Sequence, residues 1–224
     1  DAALRRIFGT EAIFRMMSDK ATTSPQIDVA TIVASNGDVI NFTRSWPAPK
    51  INLADRDYFK AHRDDPKLDV LISKPVRNKG NQKWTFYISR RINDAKGQFI
   101  GLVLLGISCR YYTDFYEKII SGRKAAITLL RDDFTILARF PVIDDILGKQ
   151  NLTGTTYAII HDQKKQNGVI VTNSSRKAAE KDKTLGLNRM SAVHKVLKYP
   201  LIVNYTIEEA IYLEGWHKNV RLLL

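Results

Sequence analysis

The sequence predicts an α/β chain of the α+β kind: a long N-terminal helix, then two modules, each an antiparallel sheet flanked by helices. Three observations carry that expectation. Residues 2 to 20, AALRRIFGTEAIFRMMSDK, contain no proline and set apolar side chains at Leu4, Ile7, Phe8, Ala12, Ile13, Met16 and Met17, an amphipathic stripe slightly wider than one helix face. Apolar runs separated by turn residues follow in pairs, as hairpins do. The order then begins again, since AAITLLRDDFTILARFP (125–141) answers TIVASNGDVINFT (31–43) about a hundred residues earlier. Helix–hairpin–helix–hairpin order calls for antiparallel sheets with helices packed over them.

Each element follows from local chemistry. TTSPQ ends the first helix. DVATIVASNGDVINFTR is an apolar run, an Asn36–Gly37 turn and a second run, and Asn-Gly between hydrophobic runs is the strongest short hairpin signal. WPAPKIN is a loop, LADRDYFKAHRDD a short helix and VLISKPV a strand or strand-like segment. KWTFYISRRI and QFIGLVLLGIS form a second hairpin turning at NDAKG. YYTDFYEKIIS is a helix leading out of the first module. After 125–141, MSAVHKVLKYPLIVNYTI supplies two strands around KYP, and residues 207–224 a terminal helix. The organisation is therefore 1–24 as an N-terminal helix, 25–122 as the first module, and 123–224 as the second module with the C-terminal helix.

The chain has 224 residues and a formal net charge of +12. That charge admits nucleic acid, an anionic surface or an anionic ligand as partner. Its runs DQKKQ (162–166) and SRKAAEKDK (175–183) read as solvated loop, and no zinc-finger, ribonucleoprotein or basic-zipper pattern occurs. The longest apolar run, Phe99 to Ile107, is too short to span a bilayer. No signal-peptide pattern is present, and a start without Met reads as a piece of a longer protein. The single cysteine, Cys109, ends an apolar strand and reads as a buried, inert thiol. His62, His161, His194 and His217 have no metal-ligand spacing. No nucleophile elbow, phosphate-binding glycine loop or Cys–His pair suggests an enzyme. No cofactor is expected.

NLADRDYFKAHR, ISKPV, WTFYISRRINDAKGQFIGLVLLGI, YYTDFYEKI and ITLLRDDFTILARFP together resemble the double Cache sensor domains over roughly residues 25 to 215. The resemblance implies two PAS-like modules forming the extracytoplasmic (periplasmic) part of an inner-membrane signalling protein. SRR followed by D-x-x-G is most like the subgroup fused to GGDEF diguanylate cyclases; histidine kinases and chemoreceptors carry the same domain. It also implies a ligand in the membrane-distal module, flanking transmembrane helices, a homodimer through the N-terminal helix, and no nucleic acid. The alternative is a basic cytoplasmic interaction or nucleic-acid-binding protein. The family's second-module turn is usually Asp-Gly; here it reads DDF, with Phe134 where glycine would supply positive φ.

Amino-acid-binding Cache domains carry an Arg-x-Trp-Tyr element, which RDYF matches with Arg56 on the arginine, Tyr58 on the tryptophan and Phe59 on the tyrosine. A guanidinium fork suits a planar carboxylate. The family's ammonium-binding Asp falls near Gly106, which is not acidic, while ISKPVRN offers Lys74 and Arg77. The resemblance thus implies a small, anionic ligand bound by Arg56, Tyr58, Phe59, Lys74, Arg77, Trp84, Tyr87 and Arg90. Side-chain alternation puts Trp84 with Arg90 on one face of their strand and Tyr87 with Arg91 on the other. Which face lines the pocket stays open.

Overall fold

A computed structural model describes residues 2–79, 81–143, 145–173, 188–214 and 216. The chain divides into two compact units, Asp1–Tyr111 and Tyr112–Leu224. The first contains β1 (Ile27–Ala34), β2 (Val39–Phe42), β3 (Val70–Ile72), β4 (Val76–Arg77), β5 (Trp84–Asn93) and β6 (Phe99–Ser108). They form one antiparallel sheet in the order β2-β1-β6-β5-β3, with β4 also on β5. The second contains β7 (Ala125–Arg131), β8 (Ile136–Phe140), β9 (Asn167–Asn173), β10 (Asn188–Val196) and β11 (Leu201–Glu208), ordered β8-β7-β11-β10-β9. With β3 and β4 counted as one interrupted strand, both sheets run second–first–fifth–fourth–third, the order of a PAS-like sheet.

The expected long N-terminal helix is broken. α1 (Ala2–Phe8) and α2 (Glu11–Thr22) meet at Gly9–Thr10. Thr10 accepts a hydrogen bond from the Ile13 amide, a cap that starts a new helix. Asn41, fully buried on β2, donates from Nδ2 to the carbonyls of Phe8 at 2.8 Å and Thr10 at 3.2 Å. A Cβ at Gly9 would lie 2.5 Å from the Arg5 carbonyl oxygen. The periodicity could not show the break, because Leu4, Phe8, Ile13 and Met17 still share one core with Ile32, Ala34 and Ile40.

The hairpins stand where the turn residues put them. Gly37 has φ +90° and Gly97 φ +78°, the left-handed region that glycine enters without strain. Asp94 Oδ1 accepts from the Lys96 and Gln98 amides to close the second turn. In the β7–β8 turn Phe134 takes φ +66° while only 7% exposed; burial of its ring against Tyr157, 4.9 Å between centroids, offsets the backbone cost.

Other boundaries move. VLISKPV is two short strands, interrupted at Ser73–Pro75. Ser73 bridges the gap: its amide donates to the Tyr87 carbonyl and its hydroxyl accepts from the Tyr87 amide. α3 is Asp57–Asp64 and α4 is Cys109–Ile120, so Cys109 opens a helix rather than ending a strand. Burial pushes its thiol up to about 12. The 153–173 stretch is α5 (Thr155–Tyr157), a π-helical turn (Ala158–Asp162) and β9. Ile207 and Glu208 belong to β11, and α6 is Glu209–Tyr212. The expected helix beyond residue 216 and the polar run 175–183 lie outside the described residues.

Candidate functional site

α3 is amphipathic at short range. Tyr58, Phe59 and His62 are buried against the sheet, while Asp57, Lys60 and Arg63 face solvent. Contacts from each of its three buried residues, and from Arg91 at its C-terminal end, fix it. The Tyr58 and Tyr87 rings lie 5.2 Å apart, and the Phe59 ring meets Phe99 edge-on at 5.7 Å. His62 Nε2 is 2.9 Å from Ser89 Oγ. Arg91 Nη1 donates to the His62 carbonyl and, at 3.4 Å, to that of Arg63; a cation at the carbonyl end of a helix is favourable. The charged trio that precedes the aromatics is thus a helix start, with Arg56 at its N-cap.

Arg56, Tyr58 and Tyr87 line a small cavity with Thr31, Asn78 and Lys79. Its volume of about 30 Å³ has room for water and none for an amino acid. Burial raises the Tyr58 hydroxyl far above its ordinary value, and burial likewise raises Tyr87, though Arg44 and Arg56 oppose the rise. Both phenols are therefore neutral donors at physiological pH. Two neighbouring cations are already compensated: Arg44 pairs with Asp28, and Lys79 Nζ lies 3.1 Å from Asp55 Oδ1. The Lys79 contact holds the Asp55 carboxyl below the usual range. Arg56 differs. Among the described residues it forms no ion pair, and its buried Nε has no hydrogen-bond partner. The unpartnered buried guanidinium N–H and the two phenolic O–H groups lining the same cavity can each donate to an anion's oxygens.

The eight residues expected at the pocket divide. Arg56, Tyr58 and Tyr87 come together there. Phe59 is 1% exposed and belongs to the core beneath α3. Lys74, Arg77, Trp84 and Arg90 are displaced from the cavity. Tyr87 and Ser89 face α3, so alternation turns Trp84 and Arg90 to the other face of β5. Arg77, paired with Trp84 in the ladder, stacks its guanidinium over that indole at 4.5 Å. Arg90 pairs with Asp69 at 2.8 Å, both well exposed. Lys74 is exposed in the gap between β3 and β4. The cationic surplus expected from Lys74 and Arg77 is therefore outside the pocket; of the two cations that line it, Lys79 pairs with Asp55 and Arg56 forms no ion pair among the described residues.

Gly106 also has a physical reason. It pairs with Tyr87 across the ladder, and a Cβ there would lie 2.6 Å from Val29 Cγ1 and 3.1 Å from Tyr87 Cε1. Tyr87 fills the volume that an acidic side chain at 106 would need. Thr31, Asn78 and Lys79 escaped the sequence reading. Only the fold of the 66–83 segment back onto β5 brings Asn78 and Lys79 under Arg56. Among the described residues no cluster of His, Cys, Asp or Glu could hold a metal, and no helix is long and apolar enough to cross a membrane.

Compared with protein-family models and with curated proteins, the sequence finds no match. Solved structures do match. The extracellular domain of a protein described as a histidine kinase, rpHK1S-Z16, aligns over 96% of this chain and 86% of its own with a TM-score of 0.75 and 24% identity. The periplasmic sensory domain of a Campylobacter jejuni chemoreceptor aligns over 93% and 84%, TM-score 0.65, at 14% identity. A Pseudomonas aeruginosa amino-acid chemoreceptor domain, solved with L-Gln, aligns over 92% and 78%, TM-score 0.62, at 13% identity. The chain has the double PAS-like fold of these extracellular sensor domains.

Proposed function

We propose that the chain is the extracytoplasmic sensing domain of a transmembrane signalling receptor, and that its first unit binds a small carboxylate at Arg56. The buried, unpartnered Arg56 Nε, in a cavity also lined by two neutral phenols, is the observation that carries this reading. The fold likeness, spanning 96% of the chain, supports the receptor context. The output is read as a histidine kinase; a diguanylate cyclase or chemoreceptor output is the alternative. Flanking membrane spans and a homodimer belong to the same reading, and Ile7 and Met16, both exposed on α1 and α2, offer an apolar face to a second copy. The domain itself is not read as catalytic.

The cavity's small volume shapes the mechanism. A carboxylate larger than formate enters only if the segment leading into α3 moves away from the sheet. A ligand that prefers the widened arrangement shifts the balance toward it by no more than its difference in affinity for the two. Binding and conformational change are then one event. The test is a thermal-shift screen of small mono- and dicarboxylates against the 224-residue chain and its Arg56→Ala variant, because binding to the native state raises the melting temperature. Stabilisation lost in the variant supports the assignment. Stabilisation only by cations or uncharged apolar molecules would sink it.

A further inference from the structure

The roomier cavity is in the second unit. It measures about 320 Å³, within the size range of small-molecule sites. Its floor is one face of the sheet, where Arg139, Thr128 and Asn204 stand opposite one another across β8, β7 and β11. Ser191 and Thr206 form the next cross-strand pair, and Arg189 and Thr172 the one after. α5 and the loop before it close the side with Asn151, Thr155 and Thr156. The same sheet face is apolar towards its other end, where Leu130, Val193 and Ile202 pack on Ile159.

The hydrogen bonds of this polar half have a direction. Thr206 Oγ1 donates to Asn204 Oδ1 at 2.8 Å, which uses its one proton. Ser191 Oγ must therefore donate to Thr206 Oγ1 at 2.9 Å. The Asn204 amide nitrogen donates to Thr156 Oγ1 at 3.0 Å and to Thr155 Oγ1 at 3.4 Å. Both threonines at the cavity wall thus accept, and their own hydroxyl protons are left to give. Arg139 Nη1 donates to Thr128 Oγ1 at 2.9 Å, which orients the guanidinium across the floor. Among the described lining residues two are arginines and none is acidic. Glu208, opposite Arg189 in the ladder, has its Oε2 3.6 Å from Lys124 Nζ.

We propose that this cavity is a second binding site, for a small oxyanion held between Arg139 and Arg189 with hydroxyl donation from Thr155 and Thr156. The recognised chemistry is common to a carboxylate and to inorganic phosphate. A cavity of this size lined by two arginines and directed hydroxyl donors offers an anion what an apolar ligand cannot use. The site is independent of Arg56.

The test is calorimetric titration of the 224-residue chain at constant ionic strength with inorganic phosphate, malonate and succinate in separate runs. Saturable binding of one class that shifts the amides of Thr155, Thr156 and Ser191 is expected, and the arm that gives those shifts identifies phosphate or carboxylate as the guest. Arg189→Gln and Arg139→Gln should each weaken it about tenfold or more, and Arg90→Gln, at the exposed pair with Asp69 in the first unit, should leave it unchanged. Should an arginine variant fail to fold, Thr156→Val and the wild-type amide shifts of Thr155, Thr156 and Ser191 during titration report on the same site. Absence of saturable binding with all three anions overturns the proposal. So do shifts confined to the first unit, or arginine variants of undiminished affinity.

Discussion

In the first unit Tyr58, Phe59 and Tyr87 fill the space between helix and sheet; in the second, Thr128, Ser191, Asn204 and Thr206 leave theirs open. The two sheets share one strand order, so topology does not account for the difference. What differs is the covering element. Eight-residue α3 delivers two aromatic rings and an imidazole onto its sheet. The three-residue α5 and its π-helical continuation bury only Thr156 and Ile159. About 30 Å³ remains under the first cover and about 320 Å³ under the second. A shared scaffold thus yields one tight donor cluster and one open polar cavity, depending on the few inward side chains of each unit.

The contrast can be broken most forcefully at Phe59. Its ring is 1% exposed and sits on Phe99, so Phe59→Ala should cost the first unit about 3–5 kcal/mol. Hydrogen exchange should show that loss in β5 and β6 and leave the protection of β7 and β11 unchanged. Next in size is Arg56→Ala. Losing a charge-assisted hydrogen bond of about 1.5–3 kcal/mol should weaken carboxylate binding about tenfold to a hundredfold with the fold intact. Unchanged affinity by calorimetry would end the case for Arg56.

A pH dependence sharpens the comparison from another side. His62 is fully buried, and that burial, the largest influence on it, pulls the imidazole below its ordinary value of 6.5. As the pH falls, the unfolded chain takes up this proton before the folded one does. The first unit should therefore lose stability as pH drops below about 6.5 and through the depressed folded value. Urea unfolding at pH 7.5 and 5.5 should show the loss, and His62→Gln should flatten it. The smallest expected effect is at Gly97. Nothing lies within 4 Å of a Cβ there, so Gly97→Ala meets only the penalty of φ +78°, about 1 kcal/mol. A loss several times larger in thermal unfolding would mean that the β5–β6 turn is held by more than its own backbone.

Local chemistry by itself determined the scaffold of this protein. Asn36–Gly37, Asp94–Gly97 and the buried-strand runs on either side of each turn place the hairpins, because a turn residue acts on its own backbone and strand alternation needs no distant partner. Arg56 and Tyr58, within three residues at one helix start, both line the small cavity. Tertiary structure decided the rest. Which face of β5 looks toward α3 depends on where the helix docks, and that choice kept Tyr87 while turning Trp84 and Arg90 away. The break at Gly9–Thr10 depends on Asn41, over thirty positions distant, reaching its carbonyls. The second cavity depends on Arg139 of β8 meeting Asn204 and Arg189 of the β10–β11 hairpin on one face, although they lie far apart in the chain. Backbone turns are short-range, whereas the volume left inside a fold is set by side chains that meet only once the sheet has formed.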